Sequence, residues 1–110
     1  RLKMHILSSL RQYQRDFYAE KIQDVLVRYK PHQLVYLDYY LALYQGCEVD
    51  LLYSLGQECF GEAIENLYRR HCPDKVGTVA IMLEKTATDT FIKDWESLYQ
   101  QLKGKYEGVE

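Results

Sequence analysis

Apolar residues recur along the chain at three- and four-residue steps. They never alternate over a strand-length run closed by hairpin turns, so the pattern predicts helices and no sheet. Ile22, Val25, Leu26 and Tyr29 form the i, i+3, i+4, i+7 stripe of a helix over 17–30, and Ile64, Leu67, Tyr68 and His71 repeat that spacing over 61–71. Each stretch runs into one of the two prolines, Pro31 and Pro73. Proline pushes the residue before it out of the helical region and has no N–H to donate, so it ends the first helix. It also fits as the first residue of a second helix, predicted to reach Tyr44 in one case and Lys85 in the other. Gly46 supplies a left-handed stop after the former, and in TATDT (86–90) Thr88 or Asp89 is the predicted cap of the helix that follows. Third helices are predicted over 47–60 and 89–103, with Gly61 and Gly104 near their ends.

The two prolines are 42 residues apart, and the apolar pattern keeps step at that offset. Leu34, Leu37 and Leu41 map onto Val76, Val79 and Leu83. With one inserted residue, Val49, Leu52, Leu55 and Cys59 map onto Ile92, Trp95, Leu98 and Leu102. The chain therefore reads as an internal duplication: one all-α domain over 1–110, with a lead-in helix at 2–16, repeat one at 17–60 and repeat two at 61–106, each repeat having three helices. ILSSL at 6–10 resembles LLYSL at 51–55 and WESL at 95–98, which hints at a third, partial copy. The first residue is not Met, and together with the partial copy this makes a module of a longer chain the expectation.

Charge narrows the function. Fourteen basic and 16 acidic residues alternate to a net charge of -2, and the longest basic cluster, Arg69-Arg70-His71, is too short to neutralise several phosphates at once. Neither a nucleic acid nor a membrane surface is an expected partner, and no apolar run of spanning length or signal-peptide pattern occurs. Three cysteines, Cys47, Cys59 and Cys72, are an odd count at wide spacing, which fits a reducing intracellular setting better than a disulfide framework. Cys59 follows Leu52 and Leu55 on one helical face and reads as a core hydrophobe. No phosphate loop, nucleophile elbow or paired metal-ligand spacing is present, and His5, His32 and His71 lack an acidic partner at a fixed offset. A non-enzyme without cofactor or metal is expected.

Tyrosine is the compositional anomaly, with 11 residues against three Phe and one Trp, seven of them between Tyr18 and Tyr53. In the middle helix of the first repeat Leu34, Leu37 and Leu41 form one stripe. Tyr36, Tyr40 and Leu43 form a second, bordered by Tyr39 and Tyr44. A helix apolar nearly all round is either a central helix buried from both sides or one that offers a docking face. Tyrosine suits docking because it carries a large apolar area and a polar tip on few rotatable bonds. In the second repeat Ile81 and Met82 replace Tyr39 and Tyr40. Tyr36, Tyr39, Tyr40, Tyr44 and Tyr53 are the candidate partner-binding residues.

Residues 25–61 carry Tyr29 and Pro31, then Leu34, Leu37 and Asp38, then Tyr44, Gly46 and Glu48, then Leu51, Leu52 and Leu55, and finally Phe60 and Gly61. This segment resembles the tandem helical repeat of large cytoskeletal and flagellar proteins of protists, of the kinetoplastid type. The second repeat departs from the pattern, with Ala80 in place of the Asp and Thr86 and Thr88 in place of the Tyr and Gly. The resemblance implies a non-catalytic scaffold module in the cytoplasm, on the cytoskeleton or flagellum. Its partner would be another protein or neighbouring repeats of the same chain. The alternative is a self-associating helical adaptor whose aromatic patch forms a homodimer.

Overall fold

The computed structural model describes residues 2–108, with side chains from Arg11 onward. The fold is all-α, with no strand among the described residues. Helix α1 spans Leu2–Tyr29. A 3₁₀ helix over Pro31–Tyr36 leads into α2, Leu37–Leu43, and α3 spans Glu48–His71. A second 3₁₀ helix over Pro73–Thr78 leads into α4, Val79–Thr86, and α5 spans Phe91–Glu107. Two compact units divide the chain between Leu55 and Gly56, inside α3.

Several predicted boundaries are corrected. No break separates a lead-in helix at 2–16 from a helix at 17–30, because nothing between Leu2 and Tyr29 is Gly or Pro and the hydrogen-bond ladder has no reason to stop. The helices predicted at 47–60 and 61–71 are likewise one helix, α3. Gly61 weakens a helix by about 1 kcal/mol relative to Ala but keeps its N–H, so it does not end one. Its role is packing: it is buried, and a Cβ there would stand 3.5 Å from Leu83 Cδ1. Gly104 also lies inside its helix, and α5 stops at Gly108, in the left-handed region at φ 65°. Thr90, not Thr88 or Asp89, occupies the N-cap position of α5. Thr88 instead donates from its backbone N–H (2.9 Å) and its hydroxyl (2.5 Å) to Asp94 in the first turn. His5 and the partial copy at 6–10 lie outside the residues whose side chains are described.

The predicted middle helices each begin as a 3₁₀ turn, and here the two units share their backbone. Lys30, before Pro31, has φ -143° and ψ 63°, and Cys72, before Pro73, has φ -153° and ψ 68°. Both lie outside the helical region, from which the clash with the proline ring excludes them. Leu37 N–H bonds Leu34 O, and Val79 N–H bonds Val76 O. Lys30 N–H reaches back to Leu26 O at 2.8 Å, and Cys72 N–H to Tyr68 O at 2.6 Å. After the proline the paths part: α2 ends at a turn whose Gly46 has φ 88°, as predicted for a left-handed stop, while α4 passes into extended Ala87.

In the first unit the buried apolar side chains are Ile22, Val25 and Leu26 of α1, Leu41 of α2, and Leu51, Leu52 and Leu55 of α3. In the second they are Cys59, Phe60, Ile64, Leu67 and Tyr68 of α3, Val79 and Leu83 of α4, and Trp95 of α5. Trp95 is wholly buried. Its ring packs 6.3 Å from Phe60 and 5.3 Å from Phe91, and its indole N–H donates to Leu83 O at 2.8 Å, satisfying the one polar atom that burial would otherwise strand. The expected match of the third helices holds at Leu52 and Trp95 and fails at Val49, which is exposed while its neighbour Glu48 is buried. The frame therefore places Leu37 and Leu41 inward and turns the other side of the first 3₁₀ helix and α2 outward.

Candidate functional site

In the first unit the outward side of the 3₁₀ turn and α2 carries four large apolar residues in the open: Val35 (80% exposed), Tyr36 (52%), Tyr39 (62%) and Leu43 (61%). Tyr36, Tyr39, Tyr40 and Leu43 stand at i, i+3, i+4 and i+7, so they form a stripe, and it is not the stripe that packs inward. Among the described residues, this outward side of the middle helix is left exposed.

The tyrosine rings meet one another. Tyr36 and Tyr40 have centroids 6.2 Å apart at 50°, and Tyr39 and Tyr40 are also 6.2 Å apart, at 53°. Tyr40 is half-buried, and its hydroxyl donates to Gln33 Oε1 at 3.3 Å, which ties the middle of the stripe to the 3₁₀ turn. Tyr44 closes α2 as its C-cap residue and is half-buried. Tyr53 is half-buried and belongs to α3. Of the five candidate tyrosines, Tyr36, Tyr39 and Tyr40 are thus brought into one aromatic cluster on one exposed face. Tyr44 borders it by sequence, and Tyr53 stands on another element. Val35 was not singled out in the sequence, because a lone β-branched residue next to Tyr36 breaks the helical spacing; the 3₁₀ turn, with three residues per turn, is what exposes it.

The face is electrically quiet. Asp38 is the only acidic side chain between Pro31 and Cys47; its own side chain is 97% exposed, and it pairs loosely with Arg15 Nη2 at 3.9 Å. The corresponding positions of the second unit read Gly77, Thr78, Ile81, Met82 and Lys85, of which Ile81 is an exposed large apolar residue.

The densest polar cluster of the second unit is structural. Glu107, in the last turn of α5, accepts from Arg70 Nε at 3.2 Å and Nη2 at 2.8 Å, and its Oε2 lies 3.1 Å from His71 Nε2. The hydrogen bond from His71, and then those from Arg70, hold its carboxyl below the ordinary carboxylate range. His71 stacks on Tyr106 at 5.9 Å, so the histidine predicted to lack an acidic partner has one, supplied from α5. Beside it Lys75 Nζ lies 3.3 Å from the Tyr106 hydroxyl, and that hydrogen bond raises the lysine. Burial, with the neighbouring Tyr106, raises Tyr68, whose hydroxyl points at Met82 Sδ at 3.7 Å. Every member has a partner, and the cluster fastens the end of α5 to the end of α3.

Among the described residues no group of three or more His, Cys, Asp or Glu side chains is placed to hold a metal ion. Cys47 is exposed, Cys72 half-buried and Cys59 buried, the last as a core residue. No helix among the described residues is long and apolar enough to cross a membrane. Comparison with protein-family models, with curated proteins and with solved structures returns no match.

Proposed function

We propose that the chain is a non-catalytic protein–protein interaction module, and that the outward face of the first unit, centred on Tyr36, Tyr39 and Tyr40, receives the partner. The observation that carries this reading is the exposure of four large apolar side chains on one short segment, with the tyrosine rings already in mutual contact. Soluble chains seldom leave such contiguous apolar area in water without a use for it. Tyr supplies contact area at a low cost in side-chain freedom, and rings held by one another lose less on binding. The backbone shared by the two units at a 42-residue offset supports an origin by duplication, with the tyrosine face elaborated on one copy only. The likeness of residues 25–61 to the repeats of protist cytoskeletal and flagellar proteins supports a scaffold role in the cytoplasm, within a larger assembly.

A photo-crosslinking phenylalanine at position 39 tests the reading. The expected result is a discrete protein adduct from cell extract, absent when the same group stands at the buried position 41. Equal labelling from both positions, or none from 39, contradicts it.

One observation favours self-association as a second reading. The stripe Tyr36, Tyr39, Tyr40, Leu43 carries no charge, so two copies can meet face to face without opposing like charges. Sedimentation over a concentration series decides: a monomer throughout rejects the homodimer, and a concentration-dependent dimer abolished by Tyr39→Asp supports it.

A further inference from the structure

The first unit holds a polar site distinct from its tyrosine face. A cavity of about 190 Å³ is lined by Arg11, Gln14 and Arg15 of α1 and by Gln45, Gly46 and Glu48, where the chain turns into α3. Glu48 is the first residue of α3 and is only 4% exposed. Among the described residues no side chain forms a hydrogen bond or an ion pair with it; no fully buried side-chain oxygen is left without a partner, so its carboxylate oxygens keep some access to solvent, and Glu48 lines the cavity. Glu48 is one of the positions that match the repeat pattern; capping or a surface ion pair would explain it as simply, but its burial does not fit a surface ion pair.

A carboxylate on a residue with so little contact with water gains from a cation or a donor set. The two cations of the lining, Arg11 and Arg15, stand one turn apart on α1 and do not supply it. Among the described residues Arg11 has no protein partner and Arg15 has one ion pair, the 3.9 Å contact with exposed Asp38, which in water contributes little. The cavity thus has an acidic residue on one side and two arginines on the other, with no ion pair within 4 Å between them. A simple anion drawn to the arginines would face Glu48, and a simple cation drawn to Glu48 would face the arginines. A molecule carrying both charges satisfies both walls. Gly46, in the left-handed region at φ 88°, turns the chain at the rim, with open space beside it. The volume is below the roughly 300 Å³ at which pockets for drug-sized ligands begin.

We propose that this cavity binds a small zwitterion of the α-amino-acid class, its ammonium group on the Glu48 carboxylate and its carboxylate on the Arg11 and Arg15 guanidinium groups. The neutral amides of Gln14 and Gln45 are left to read the ligand's remaining polar atoms.

The test is a two-dimensional NMR titration of the whole chain with glycine, L-glutamine and L-lysine, and with acetate and methylammonium as half-ligands. The expected result is saturable shifts of the amides at 11–15 and 45–48 with at least one amino acid, and binding of either half-ligand weaker by about tenfold or more. Glu48→Gln, which keeps the shape, and Arg11→Gln, on an exposed helix position, each weaken the amino acid by about tenfold or more. Should Glu48→Gln fail to fold by circular dichroism, Arg11→Gln decides alone. No saturable shift with any of the three amino acids overturns the proposal. So does methylammonium or acetate binding as tightly as the zwitterion, or Arg11→Gln leaving the affinity unchanged.

Discussion

Pro31–Leu43 in the first unit and Pro73–Lys85 in the second each run from a proline-led 3₁₀ helix into a short α-helix, and they present different surfaces. Tyr36 and Thr78 sit at φ -97° and -94°, and Leu37 and Val79 at φ -56° and -63°. Leu41 and Leu83 are each 2% exposed. Outward, Val35, Tyr36, Tyr39, Tyr40 and Leu43 stand against Gly77, Thr78, Ile81, Met82 and Lys85. The same conformation forms with or without the tyrosines, so the proline and the inward apolar residues dictate it. The tyrosines are then free to be read as a surface acquired for contact.

That comparison breaks first at the inward positions if it is wrong. Leu41→Ala and Leu83→Ala each remove a buried side chain from an equivalent site and are expected to cost ~2–5 kcal/mol in denaturant unfolding. Leu43→Ala, two residues on but turned outward, is expected to stay within ~0.5 kcal/mol. A large loss at Leu43 with a small one at Leu41 inverts the assigned faces.

The glycines sharpen it next. A Cβ on Gly56 would stand 2.8 Å from both Ile92 Cδ1 and Trp95 Cζ3, and the indole is wholly buried and cannot move aside. Gly56→Ala is expected to lower stability by ~1–3 kcal/mol. Gly77, the counterpart of Val35, has open space around it, and Gly77→Ala is expected to raise Tm through a gain of ~0.4–1 kcal/mol, chiefly by restricting the unfolded chain.

The smallest effect is acid dependence in the second unit. The hydrogen bonds from Thr88 lower Asp94, and those from His71 and Arg70 lower Glu107. A carboxyl lowered in the folded state binds its proton more readily when unfolded. These contacts therefore stabilise fully above the ordinary values of 3.8 and 4.5, and their contribution is lost as the pH falls through the lowered folded values. Hydrogen exchange is expected to show α5 loosening at both ends over that range, with Thr88→Val flattening the response at the start of the helix and Arg70→Gln at its end.

The helical class, the helix ends before the two prolines and the inward residues Leu41, Leu83, Cys59 and Trp95 are legible in the sequence, because each rests on spacing or on the covalent restriction of proline; that the next helix starts as a 3₁₀ turn is not. The continuity of α3 is not: Gly61 reads equally as a stop or as a close contact, and only the neighbour, Leu83, tells which. The pairing of His71 with Glu107 joins residues 36 apart on two helices, beyond the reach of any local pattern. The exposure of Tyr36 and Tyr39 was one of two readings of a helix apolar all round, and packing alone separates them. Glu48 was hidden for the opposite reason, since an acidic residue at a helix start is the ordinary sign of an exposed first turn.

The proposed role of the tyrosine face is to recognise a partner and not to hold the fold. Its most direct test is quantitative capture from cell extract by the wild-type chain, the double variant Tyr36→Ser/Tyr39→Ser and Ile81→Ser, with Tm recorded for each. The predicted result is unchanged Tm in all three and loss of the captured partner from the double variant alone. Capture that survives the loss of both tyrosines, or a double variant that unfolds, contradicts the claim.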